Sequence, residues 1–141
     1  MAPALTHIAL QVKDLDASVD FYAAFCGMHL SHQRADDGGR VAWIAEPGRE
    51  EEFVFVLIER AGHRPQDKND FGHLGFALES RVAVDRIAAR AGERLVWPPE
   101  DHPPPTGYFC GVRDPDGNII EFSFGQPLNP IAAGAKPQAH A

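Results

Sequence analysis

The sequence predicts an α+β protein of two βαβββ modules whose strands form a curved sheet around a cavity. Three observations carry that expectation. Two short runs, "THIALQV" and "GHLGFAL", each set a histidine at the head of a strand with alternating apolar residues. A helix that closes on a glycine follows each run, with 20 residues from His7 to Gly27 and 19 from His73 to Gly92. After each helix come three further apolar segments separated by turn-forming residues. At 141 residues, 44% of them hydrophobic, the chain can bury a core without disulfide staples.

The first module, residues 4–61, opens with the strand His7–Val12, where Ile8, Leu10 and Val12 alternate with His7, Ala9 and Gln11. Asp14 or Asp16 caps the next helix, and Leu15, Val19, Tyr22 and Cys26 fall on one of its faces. Gly27 ends it. Strands are then expected over Met28–Arg34, Arg40–Ala45 and Glu52–Glu59, with "DDGG" and "EPGREE" as turns.

The second module, residues 70–126, repeats this grammar from a strand over His73–Leu78. Ser80 caps a helix whose buried stripe is Val84, Ile87, Ala88 and Ala91, closed by Gly92. Strands follow over Glu93–Trp97, Gly107–Val112 and Asn118–Phe124, the last two joined by the turn "DPDGN". "WPPEDHPPPTG" reads as a rigid surface loop. Residues 127–141 lack any period and read as a flexible tail.

Composition narrows the function. The net charge is −7 and no Lys/Arg cluster follows a phosphate backbone, which argues against a nucleic-acid partner. No apolar run reaches membrane-spanning length and no secretory signal precedes Leu5, so a cytoplasmic protein is expected, with no membrane partner. Cys26 and Cys110 fall in a helix and a strand and read as buried free thiols. Sheet edges left by two four-stranded modules point to a homodimer.

Strand alternation sorts the faces. Bulky Ile8, Leu10 and Val12 point one way and His7 the other; Leu74, Phe76 and Leu78 oppose His73; Ile120, Phe122 and Phe124 oppose Glu121. One strand histidine alone is ordinary. His7, His73 and Glu121 agree in face and repeat position, which outlines a divalent-metal site with open coordination positions.

The segments "THIALQVKDLDASVDFYAAFCGMHL", "FGHLGFAL" and "VRDPDGNIIEFSF" resemble the vicinal oxygen chelate superfamily, the glyoxalase/bleomycin resistance protein/dioxygenase family. The resemblance covers about residues 4–126 and implies the glyoxalase/bleomycin resistance/dihydroxybiphenyl dioxygenase-like fold. It implies His7, His73 and Glu121 as ligands of Fe2+, Mn2+, Ni2+ or Zn2+, and a small-molecule substrate chelating the metal through vicinal oxygens.

Glyoxalase-like members place an acidic ligand near the first module's counterpart of Glu121. The repeat puts Phe55 or Val56 there, with Glu59 three or four residues on at what reads as an exposed strand end. A missing fourth carboxylate favours open-site chemistry, such as extradiol-type ring cleavage, over a glyoxalase-type lyase or isomerase. A metal-free drug- or aromatic-binding protein is the alternative of a different class. His102, on its proline-rich loop, is a candidate proton shuttle, as in extradiol enzymes, and Tyr108 a candidate donor to a bound oxygen anion.

Overall fold

The computed structural model describes residues 1–67 and 69–129 and forms two compact units. The first comprises residues 1–66 together with the turn 114–118; the second holds 67–113 and the chain from 119 on. Of the expected tail, 127–141, residues 130–141 lie outside the described residues.

In the first unit the order is β1 (His7–Val12), α1 (Leu15–Cys26), β2 (His29–Asp36), β3 (Gly39–Ala45) and β4 (Val54–Glu59). These strands form one sheet in the order β1-β4-β3-β2, with β1 parallel to β4 and the other pairs antiparallel. The Asp14 side chain accepts the Ala17 N–H and so starts α1, while Gly27 ends it at φ 67°. The helix packs on β3, β2 and β4. Val12, Ile44, Phe55 and Leu57 are buried on that side.

The buried face of α1 departs from the expected stripe. Ser18 and Phe21 join Leu15 and Tyr22 there, while Val19 and Cys26 are only half-buried. A serine is tolerated because its hydroxyl reaches Asp116 Oδ2 at 3.3 Å. The turn 114–118 supplies the polar centre of this unit. Asp114, 2% exposed, accepts the Asp116 and Asn118 N–H groups, the Asn118 amide at 2.9 Å and the Tyr22 hydroxyl at 2.7 Å. Burial, then the neighbouring Asp114 carboxylate, raises the Tyr22 hydroxyl far above its ordinary range.

The second unit runs β5 (Leu74–Ala77), α2 (Arg81–Ala91), β6 (Leu95–His102), β7 (Gly107–Arg113) and β8 (Ile119–Phe124). Its sheet order, β5-β8-β7-β6, repeats that of the first, again with one parallel pair. Ser80 caps α2 through the Ala83 N–H, and Val84, Ile87, Ala88 and Ala91 are buried as expected. The cysteines are free; burial pushes the Cys110 thiol up to about 11.

The proline-rich loop is shorter than expected. Strand β6 continues through Pro98 and Pro99 to His102, so His102 ends a strand rather than riding on the loop. Proline lacks the ladder donor, but β6 is the sheet edge and its register breaks between Trp97 and Glu100.

Candidate metal centre

In the first unit, His7 stands at the head of β1 opposite Val54 on β4. Its face of the sheet carries Ala9, Val56 and Trp43, the last two paired directly across β4 and β3. A cavity of about 460 Å³ opens on this face, lined by His7, Arg34, Trp43, Phe53, Val56 and the acidic run Glu50–Glu52. Thr6 Oγ1 lies 3.0 Å from His7 Nδ1. Phe55, by contrast, turns to the helix side, its ring edge-on to Tyr22 at 5.7 Å.

Glu59 is not an exposed strand end. Its carboxylate receives two bonds from the Arg40 guanidinium, at 3.1 and 2.8 Å, and the Leu15 N–H at 2.9 Å. These donors, the Arg40 bond first, hold its carboxyl at about 2. Glu59 is fully engaged at the start of α1.

In the second unit, His73 precedes β5 and Glu121 lies in the middle of β8. His73 Nδ1 is 2.7 Å from the Phe71 carbonyl oxygen. A carbonyl only accepts, so Nδ1 carries a hydrogen, and in the neutral ring the Nε2 lone pair is left for a ligand. Nε2 faces Glu121 Oε2 at 3.6 Å. Two metal bonds of about 2.1 Å span at most about 4.2 Å, so these donors fit one divalent ion as they stand.

The ladder around Glu121 is built to leave its side chain room. Gly75 on β5 and Gly111 on β7 are its direct neighbours, and Gly111 in turn pairs with Trp97 on β6. A Cβ on Gly75 would meet Glu121 Oε2 at 3.4 Å, and one on Gly111 would meet the Trp97 ring at 2.5 Å. The carboxylate is largely out of solvent, with Gln126 Nε2 3.5 Å from Oε1. Glycine inside a strand signals such close approach. Gly75 and Gly111 are the signal of this row in the sequence.

Register resolves the counterpart of Glu121. Gly75 pairs with Glu121 as Ala9 pairs with Val56, so the equivalent position is Val56. No three His, Cys, Asp or Glu side chains gather as a metal-holding group among the described residues. His73 and Glu121 are brought together; His7 stands on the sheet face of its own unit.

The acid/base candidates separate. Tyr108 is on the α2 side of its sheet, opposite to Glu121, with its hydroxyl bonded to Asp85 and its ring 4.0 Å beneath the Arg81 guanidinium. The bond to Asp85 raises its pKa. Tyr108 is therefore aimed away from the carboxylate, because it pairs with Phe124, three residues on from Glu121 and so on the other face. His102 is on the cavity side: its ring stacks on Phe109 at 5.2 Å, and Nε2 lies 3.5 Å from Glu100.

Comparison with known proteins gives a consistent neighbourhood. The Glyoxalase/Bleomycin resistance protein/Dioxygenase superfamily profile matches residues 4–122. An uncharacterized Pseudomonas aeruginosa protein is 52% identical over 132 residues, 92% of this chain and 94% of that one. A probable lactoylglutathione lyase from Synechocystis is 31% identical over 122 residues, 84% of this chain and 92% of that one. Among solved structures, a glyoxylase/bleomycin resistance protein/dioxygenase domain from Frankia superposes with a TM-score of 0.67 at 25% identity, covering 89% of this chain and all of that one. The fosfomycin resistance protein FosX from Listeria monocytogenes gives 0.70 at 18% identity, covering 92% and 98%, and shows the fold alone.

Proposed function

Because the chain belongs to the Glyoxalase/Bleomycin resistance protein/Dioxygenase superfamily, we propose that it is a divalent-metal-dependent enzyme acting on a small substrate with two adjacent oxygens. His7, His73 and Glu121 are its metal ligands. Fe2+, Mn2+, Ni2+ and Zn2+ all accept such imidazole and carboxylate donors. The chemistry such an ion supplies when bound is stabilisation of negative charge on the two substrate oxygens.

The chain's own residues do the rest. The Phe71 carbonyl holds the His73 ring with Nε2 outward, and Gly75 leaves space for the Glu121 carboxylate. Trp97 and Phe109 give the cavity an apolar wall. His102, stacked at that wall, takes or returns a proton at Nε2 during turnover.

One observation carries the choice of reaction: the register position equivalent to Glu121 is Val56, and Glu59 is held by Arg40. An apolar group there supplies no base for a glyoxalase I–type proton transfer, which favours open-site chemistry such as extradiol ring cleavage. The second reading, a glyoxalase-type lyase, is favoured by the curated relatives' names. Chain loaded with Fe(II) and assayed for oxygen uptake with catechol, beside Ni(II)- or Zn(II)-loaded chain given methylglyoxal and glutathione, separates them. Oxygen uptake with catechol supports the first, and robust isomerisation the second.

The same reading places the enzyme in the cytoplasm as a homodimer. Free cysteines fit a reducing compartment. No helix among the described residues is long and apolar enough to cross a membrane. Strand β2 is an eight-residue edge without proline, open to pairing, whereas Pro98 and Pro99 block β6. Sedimentation at a monomeric 15.4 kDa would exclude the dimer.

A further inference from the structure

The second unit's cavity, about 340 Å³, has walls of Phe71, Trp97 and Phe109 and polar groups limited to His73, Glu100 and Glu121. Among the described residues, no lysine or arginine lines it. With no divalent ion bound, two carboxylates repel an anionic ligand at close range.

The indole of Trp97 is held in one place. It rests on Gly111, where even a Cβ would lie 2.5 Å from the ring. His73 meets it edge-on at 5.4 Å and 85°, and Phe109 meets it edge-on at 6.3 Å. Since Gly111 is the ladder neighbour of Glu121, this indole lies directly beside the carboxylate. Phe71 stands 6.4 Å from the indole yet is 72% exposed, a large apolar surface that the described residues leave uncovered.

We propose that this cavity binds a flat, uncharged ring system against Trp97, and that the Trp97–Gly111 pair sets which ligands enter beside His73 and Glu121. The inference deepens the substrate class of the proposed enzyme, but its ring contact does not depend on a bound ion. With no divalent ion bound, Glu100 and Glu121 disfavour anionic tripeptide conjugates of the glutathione type in this cavity.

The test uses the full chain as purified and again after EDTA treatment, titrated with 2-naphthol and with naphthalene-2-sulfonate, which share a ring and differ in charge. In a Trp43→Phe background, Trp97 is the only indole, because the sequence holds two tryptophans. Its emission is expected to be quenched saturably by 2-naphthol in both preparations, with the sulfonate about tenfold weaker after EDTA treatment. By calorimetry, Trp97→Leu and Gly111→Ala each weaken 2-naphthol about tenfold. Circular dichroism checks folding, and Trp97→Leu carries the test if Gly111→Ala does not fold. Naphthol binding without metal binding sustains the ring site and sinks the metal reading. Metal binding without saturable quenching, undiminished affinity in Trp97→Leu, or preference for the sulfonate after EDTA treatment overturns the ring site.

Discussion

His73 and Glu121 face each other across 3.6 Å, Nε2 to Oε2, with the far nitrogen of the imidazole tied to the Phe71 carbonyl. The carboxylate keeps its place because no branched side chain stands at Gly75. At Gly75 a Cβ would sit 3.4 Å from Oε2, so alanine is tolerated, but the branches of valine would displace the carboxylate. Gly75→Val is expected to weaken divalent-metal affinity about tenfold or more while Gly75→Ala leaves it near wild type, read by competition with a chromogenic chelator. Equal affinity in all three proteins would detach Gly75 from the site.

Val56 occupies the ladder position that Glu121 holds in the second unit. Val56→Glu therefore supplies the carboxylate that glyoxalase I–type chemistry lacks here. The expected outcome is tighter metal binding and a rise of about tenfold or more in methylglyoxal–glutathione isomerisation, followed at the thioester absorbance. No gain in either would mean that Val56 does not face the reacting atoms.

Glu59 gives a pH signature. Its folded pKa, about 2, lies below the ordinary 4.5, chiefly through Arg40. A depressed carboxylate adds stability that is fully present above the ordinary value and lost as pH falls from about 4.5 towards 2. Glu59→Gln should be less stable than wild type at neutral pH, and the gap should close across that window in urea titrations. Its metal affinity should not change. Loss of metal in Glu59→Gln would restore Glu59 as a fourth ligand.

The Tyr22 hydroxyl donates to Asp114 at 2.7 Å inside the first unit. Tyr22→Phe removes one donor from a buried carboxylate and should cost about 1.5–3 kcal/mol in urea unfolding, with catalysis intact. A cost below about 0.5 kcal/mol would show the bond to be replaceable.

The architecture was legible because its signals are local. Alternation named β1 to the residue, helical spacing named the α2 stripe, and Gly27 ended α1 as glycine should. Ser18 was not legible, since its burial depends on Asp116, far along the chain. Neither was the end of β6, where an edge position excuses two prolines that elsewhere would break a strand. His73 and Glu121 could be paired from the repeat, but their distance is set by ladder register. The same register sent Tyr108 to the α2 side, which single-residue chemistry does not show. Glu59 looked free because its partner, Arg40, is contributed by a different strand.

The central claim is a metal held by His7, His73 and Glu121, and metal content of the purified chain tests it most directly. Elemental analysis of wild type and of His7→Ala, His73→Ala and Glu121→Ala, each dialysed against the same trace of divalent ion, is the measurement. The account predicts about one ion per chain in the wild type, near-complete loss in each of the three variants, and full retention in Glu59→Gln. Wild-type protein without metal, or any of the three variants retaining it at wild-type affinity, would contradict the account.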